Sequence, residues 1–246
     1  MNIVYKIGSY LLLMRRVLTK PEKPSVFRKQ LWIEMDTLGI QSIGFVLLIS
    51  VFMGAVLAIQ TAFQIESPWV PKWTVGFTVR QSVILEFAPT IVSLFLAGKI
   101  GSRIASEIGT MRVTEQIDAL EVMGINSANF LMLPKIIASM LVFPILVVVS
   151  MFISMFGGWL ATISTKMVSS SNYIDGLIIY FRPFDVSYAL IKVITFAFII
   201  TSVSGFYGYT TEGGSLEVGR SSTNAVVYSS IVMLFFNMIL TQLLLT

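Results

Sequence analysis

Apolar and polar positions fall along this chain in long blocks, not in the short stripes of a soluble helix or strand. Five blocks, 40–63, 75–98, 136–163, 187–209 and 223–245, meet the length of about 20 mostly apolar residues that a membrane-spanning helix needs. The pattern predicts an all-α integral membrane protein built as one domain over residues 1–246. The opening stretch, "MNIVYKIGSYLLLMRRVL", has an apolar core too short to span, and it lacks the basic start and small-residue cleavage site of a signal peptide. Pro21 and Pro24 then interrupt the chain, after which Phe27, Leu31 and Met35 recur at four-residue spacing over 25–38. Residues 1–38 are therefore expected to form two interfacial helices joined by a proline hinge, an elbow before the first span.

Composition narrows the chemistry. Only 12% of the 246 residues are charged, where a soluble domain carries about 25%. Cysteine and histidine are both absent, which removes disulfides, thiol nucleophiles, the usual zinc sites and histidine acid–base catalysis; no metal site is expected. The net charge of +4 is concentrated near the start, where Lys6, Arg15, Arg16, Lys20, Lys23, Arg28 and Lys29 are interleaved with aromatic and aliphatic residues. That arrangement suits anionic lipid and a topology signal, not nucleic acid. With the N-terminus inside, these seven join Lys99, Arg103, Arg112, Lys135 and Arg220 to give twelve inner cations. Four lie outside (Lys72, Arg80, Lys166, Arg182), and Lys192 falls within a span. The bias predicts a cytoplasmic N-terminus, an outer C-terminus after five crossings, and a cytoplasmic 99–135 segment.

That segment contains "EIGTMRVTEQIDALEVMGI" (107–125), which holds four of the chain's thirteen acidic residues. On a helix, Val113, Ile117, Leu120 and Gly124 form one stripe, and Met111, Glu115, Asp118 and Val122 the opposite one. Either Thr110 or Thr114 is placed to cap its start. A helix resting on headgroups favours Lys and Arg on its polar face, whereas Glu115, Asp118 and Glu121 would be repelled. The segment is better read as a docking knob for a soluble partner. Ala97, Gly101, Ala105 and Gly109 recur every four residues on the approach to it, a stripe that lets another helix pack closely. The expectation is a stiff helix running from the second span into the knob.

Ionisable groups at membrane depth cost roughly 2.5–3.5 kcal/mol each and need a partner or a wet cavity. Glu86, in "ILEFAPT", and Lys192, in "DVSYALIKVITF", sit at similar depth from the outer ends of the second and fourth spans. Asp185 lies two turns before Lys192, Arg80 lies further out, and Pro89 removes a backbone donor after Glu86. Two roles suit these charges: lining an outward-facing cavity, or fixing helix packing. Gln60 is a further candidate for the cavity wall, and Leu57 and Phe87 for acyl-chain contact. "ESPWVPKW" (66–73) suits an outer interfacial belt, "KMVSSSNYIDG" (166–176) an outer loop with one short helix, and "TTEGGSLEVGRSST" (210–223) a cytoplasmic turn.

The knob sequence, preceded by "EFAPTIVSLFLAGKIGSRIAS" and followed by a proline-bearing apolar span, closely resembles the MlaE (YrbE) permease family, most strongly over 80–160. The resemblance implies an MlaE-like fold: a homodimer of five-span subunits with an elbow helix, in the bacterial inner membrane. The knob would be a coupling helix over 103–125, with Glu107, Arg112, Glu115, Gln116, Asp118 and Glu121 meeting a separate MlaF-like ABC ATPase that binds the ATP and Mg. The cargo would be phospholipid exchanged with a periplasmic MlaD-like MCE protein, with room for an accessory cytoplasmic subunit. Glu86 matches the Glu of the family's usual "RELGP", which favours the cavity role. Leu85, Phe87 and Ala88 depart from that pattern, so no headgroup contact is implied at position 85.

The chain itself has no cofactor motif: in "AGKIGS" Ile100 stands where a phosphate loop needs Ser or Thr. Other cargoes, such as sterol or fatty acid, remain open. A stand-alone secondary transporter is disfavoured by five spans without an inverted repeat. A lipid hydrolase or acyltransferase is disfavoured by the missing His and Cys.

Overall fold

The computed structural model describes residues 3–21, 23–65 and 69–245, and among them there are helices and no strands. Residues 66–68 of the predicted outer belt and Glu22 of the proline hinge lie outside the described residues. Eight helices result: α1 (Ile3–Val17), α2 (Pro24–Gln64), α3 (Thr74–Val113), α4 (Gln116–Val122), α5 (Ser127–Thr165), α6 (Ser170–Ile178), α7 (Pro183–Tyr209) and α8 (Ser215–Leu245). Five of them, α2, α3, α5, α7 and α8, are long and apolar enough to cross a membrane. With 15 residues, α1 reaches about 22 Å and falls short of a hydrocarbon core of about 30 Å.

The helix boundaries differ from the sequence pattern where the chain keeps its hydrogen bonds through a change of environment. A break was expected near residue 38, but α2 continues from the amphipathic start into the span through a π turn at Asp36–Ile40. A π turn absorbs an extra residue without releasing backbone groups, whereas a true break in lipid would expose them. Pro89 is absorbed likewise, within a π segment at Val83–Ile91. The expected rigid run from the second span into the knob is interrupted: α3 ends at Val113 and Glu115 adopts φ 60° before α4 begins. The turn over 210–223 is shorter than predicted because α8 starts at Ser215. Lys135 lies inside α5 instead of in a loop.

The chain divides into two compact units. One comprises residues 1–41, 94–143 and 194–246. Here the small stripe of α3 packs on α7 and α8: Gly101 faces Ile200 and Ser204, Gly109 faces Thr211 and Val218, and a side chain at Gly208 would meet the Ala105 backbone. Lys135 is 3% exposed and lies 2.5 Å from Glu34 of α2 and 2.8 Å from Glu107 of α3, one ammonium holding three helices together. Tyr10 of α1 meets Ser202 at 2.8 Å and the Phe206 ring edge-on.

The other unit comprises residues 42–93 and 144–193. Its α2 and α5 meet through small residues. Ser50 lies 2.7 Å from Ser150, a side chain at Gly54 would run into the Ser154 backbone, and one at Gly157 into the Val51 backbone. In lipid, where apolar burial gives helices no advantage over lipid tails, such close approach is what holds them together. α6 packs on the start of α3 by the same device, at Gly76 and Gly176, with buried Tyr173 donating to the Met155 carbonyl.

Candidate functional site

The intramembrane charges sort into two groups, not one network. Lys192 of α7 has no exposed surface; its Nζ lies 2.8 Å from Glu86 Oε1 and donates to the Tyr188 hydroxyl at 3.0 Å and to the Leu85 carbonyl at 3.3 Å. Thr90 donates to the other Glu86 oxygen at 3.0 Å. The pair is lopsided: the Glu86 side chain is 41% exposed. Glu86, not Lys192, is the group a ligand can reach in this conformation.

Arg80 does not join that pair. It is 2% exposed and donates to the carbonyls of Leu177, Ile179 and Tyr180, neutralising the C-terminal end of α6 while lying over the Phe77 and Phe181 rings. Asp185 is buried and forms no ion pair with Lys192 or Arg80 among the described residues, although it acts on Arg80 electrostatically. Leu57 and Phe87 line one crevice with Met53, Val83 and Ser150, which is too tight for a water molecule. Gln60 is exposed elsewhere on α2.

The acidic knob has a different construction. Ile117 is its buried anchor, while Val122 and Met123 are 89% and 64% exposed beside exposed Glu115 and Asp118. Arg112 pairs with Asp118 at 2.5 Å across the turn, and Gln116 donates to Thr114 at 3.0 Å. Left-handed backbone at a residue other than glycine costs on the order of 1 kcal/mol, so the turn at Glu115 is held by its surroundings.

Glu121, expected to face a partner, is an internal staple. Its Oε1 accepts from Arg16 at 2.8 Å, Ser127 at 2.9 Å and Tyr209 at 3.0 Å. The Ser127 hydroxyl first, then Arg16, holds this carboxyl below its ordinary value of 4.5. The staple is therefore complete above that value and is lost only as the pH falls through the lowered one. Amide exchange at the end of α1, corrected for intrinsic rate, should be flat from neutral pH to about 4.5 and accelerate below it. Asn126 and Asn129 complete the attachment by donating to the Arg16, Val17 and Thr19 carbonyls at the end of α1. The sequence reading missed these two; their one signal is a pair of Asn flanking "SA" at a helix start.

Comparison with known proteins decides the family. The profile described as "Permease MlaE" matches residues 31–243. The chain belongs to the MlaE permease family. A relative in Rickettsia bellii, named a probable ABC transporter permease protein, is 34% identical over 98% of this chain and 93% of its own. The intermembrane phospholipid transport system permease protein MlaE of Haemophilus influenzae is 29% identical over 86% of this chain and 81% of its own. Chloroplastic trigalactosyldiacylglycerol 1 of Arabidopsis thaliana is 34% identical over 80% of this chain and 56% of its own. As an MlaE permease, the chain is an all-α, multi-pass membrane protein.

Proposed function

We propose that this MlaE permease is the membrane subunit of an ABC transporter that moves phospholipid between the inner membrane and a periplasmic MCE-domain protein. It works as a homodimer, with its N-terminus in the cytoplasm and its C-terminus in the periplasm. A separate cytoplasmic ATPase binds ATP and Mg and docks on α4 and the Glu115 turn before it, which present the exposed Glu115 and Asp118 beside the bare Val122 side chain, a combination suited to a protein groove. An accessory cytoplasmic subunit is compatible with this arrangement. The twelve-to-four cation bias supports the orientation. The name of the Haemophilus influenzae relative supports the cargo.

The observation that carries the transport reading is the half-open Glu86–Lys192 pair. A spanning segment keeps an accessible carboxylate in apolar surroundings and holds a fully buried ammonium behind it. Such a carboxylate suits the amine of a zwitterionic headgroup. Removing both charges at once, in Glu86→Gln with Lys192→Met, leaves no orphan charge and should spare assembly. Lipid transfer by the reconstituted complex should then fall at least tenfold. Undiminished transfer by the assembled double variant would reduce the pair to helix packing.

A further inference from the structure

A cleft of about 560 Å³ opens between the start of α2 and the segment joining α4 to α5, both in the first unit. Its floor and walls are Val26, Phe27, Met123, Ile125 and Phe130, and its polar edge is Lys23, Gln30, Asn126 and Asn129. That volume lies within the roughly 300–1,000 Å³ of small-molecule sites. The chain on either side of Lys23 is strongly basic. Between Arg15 and Lys29 the chain carries Arg15, Arg16, Lys20, Lys23, Arg28 and Lys29 against the single acid Glu22. Arg16 is taken by Glu121; the other five make no ion pair among the described residues and are exposed.

The acids of the adjoining α4 do not offset this charge. Asp118 is paired with Arg112, and Glu121 is held by Arg16, Ser127 and Tyr209. Further along α2, Trp32 and Ile33 are 70% and 54% exposed, and Trp32, four residues after Arg28, shares that residue's face. Basic residues interleaved with aromatic ones are the chemistry of a membrane interface, and an apolar cleft behind them takes a chain.

We propose that this cleft is a binding site for an anionic membrane lipid, with the headgroup at Lys23 and Asn126 and an acyl chain against Val26, Phe27, Met123 and Phe130. The site shares no residue with the Glu86–Lys192 pair, and its occupancy does not depend on which cargo the subunit moves. Because its walls are the end of the knob and the start of α2, a bound lipid ties the two together beside the Arg16–Glu121 staple. Lipid composition then influences how firmly the knob is held.

The test uses the full chain in nanodiscs with a phosphatidylglycerol bearing a diazirine on its acyl chain, compared with a phosphatidylcholine bearing the same chain. Phosphatidylglycerol should label peptides covering 21–30 and 123–130 at least fivefold more than phosphatidylcholine. Lys23→Glu, which removes the headgroup contact, and Val26→Trp, which fills the chain space, should each reduce that labelling at least fivefold and leave labelling of the spans unchanged. Both side chains are exposed enough for the fold to tolerate these changes. Equal labelling by the two lipids, or labelling indifferent to both variants, would overturn the proposal. So would loss of the labelling whenever a co-purifying protein is present, which would give the cleft to that protein.

Discussion

Gly157→Leu should leave almost no folded protein in the membrane. The leucine Cβ would fall on the Val51 backbone, and a backbone cannot rotate aside as a side chain can. α2 and α5 would have to separate, parting Ser50 from Ser150 and opening the contact of Gly54 with Ser154. Overpacking of ordinary cores costs about 1–3 kcal/mol; a clash with backbone along a whole helix crossing should exceed the 4–5 kcal/mol that marks exceptional mutants. Gly44→Leu is the control, because a Cβ there has no neighbour within 4 Å. Size-exclusion profiles of detergent extracts should show a monodisperse peak for Gly44→Leu and none for Gly157→Leu. Matching profiles would mean that the close crossing does not exist.

The second large effect concerns a charge that cannot escape. Glu86→Ala should destabilise the protein by about 3 kcal/mol, and adding Lys192→Met should restore most of the loss. Breaking a buried pair from one side leaves the other charge uncompensated, whereas replacing both partners with apolar groups is often neutral. The order of the two single variants follows from the lopsided burial. Lys192 has no exposed surface, so Glu86→Ala strands it. Glu86 is 41% exposed and keeps the Thr90 hydroxyl, so Lys192→Met leaves a carboxylate that is only partly buried and still hydrogen-bonded. Thermal unfolding of the two singles and the double in one detergent measures this. Additive losses would contradict a coupled pair.

The five spans and the pairing of Glu86 with Lys192 were legible in the sequence for physical reasons. Runs of about 20 apolar residues have few other uses, and lone opposite charges in two such runs have few other partners. The turn at Glu115 was not legible, because "VTEQI" carries no glycine to announce a left-handed residue, whereas Gly124, with φ 78°, closes the same segment visibly. Arg80 was misplaced because its partners are backbone carbonyls at the end of α6, which only the fold brings near. Lys135 was counted as a loop cation. Its burial depends on Glu34 and Glu107, 101 and 28 residues away. The period that drew attention to Ala97, Gly101, Ala105 and Gly109 recurs at Ser50, Gly54, Ala58 and Ala62, all buried on α2, and there it went unread.

The turn at Glu115 also changes how force would travel. A continuous rod from α3 into the knob would transmit displacement directly. Instead α4 is a separate short helix, tied back to α3 by Arg112–Asp118 and to α1, α5 and α7 through Glu121. A push on α4 therefore reaches several helices through hydrogen bonds and ion pairs.

The central claim, that an ATPase drives this subunit through α4, is tested most directly by Glu115→Lys with Asp118→Lys, which reverses the exposed charges and leaves the Glu121 staple in place, with Asp118→Ala alone as the control for loss of the Arg112 pair. The complex is purified through the permease and assayed in proteoliposomes for ATP-dependent phospholipid transfer. The account predicts that the ATPase is lost during purification and that ATP-dependent transfer disappears while the permease stays folded. Full ATPase recovery with undiminished ATP-driven transfer, or equal transfer by the permease with no ATPase present, would contradict it.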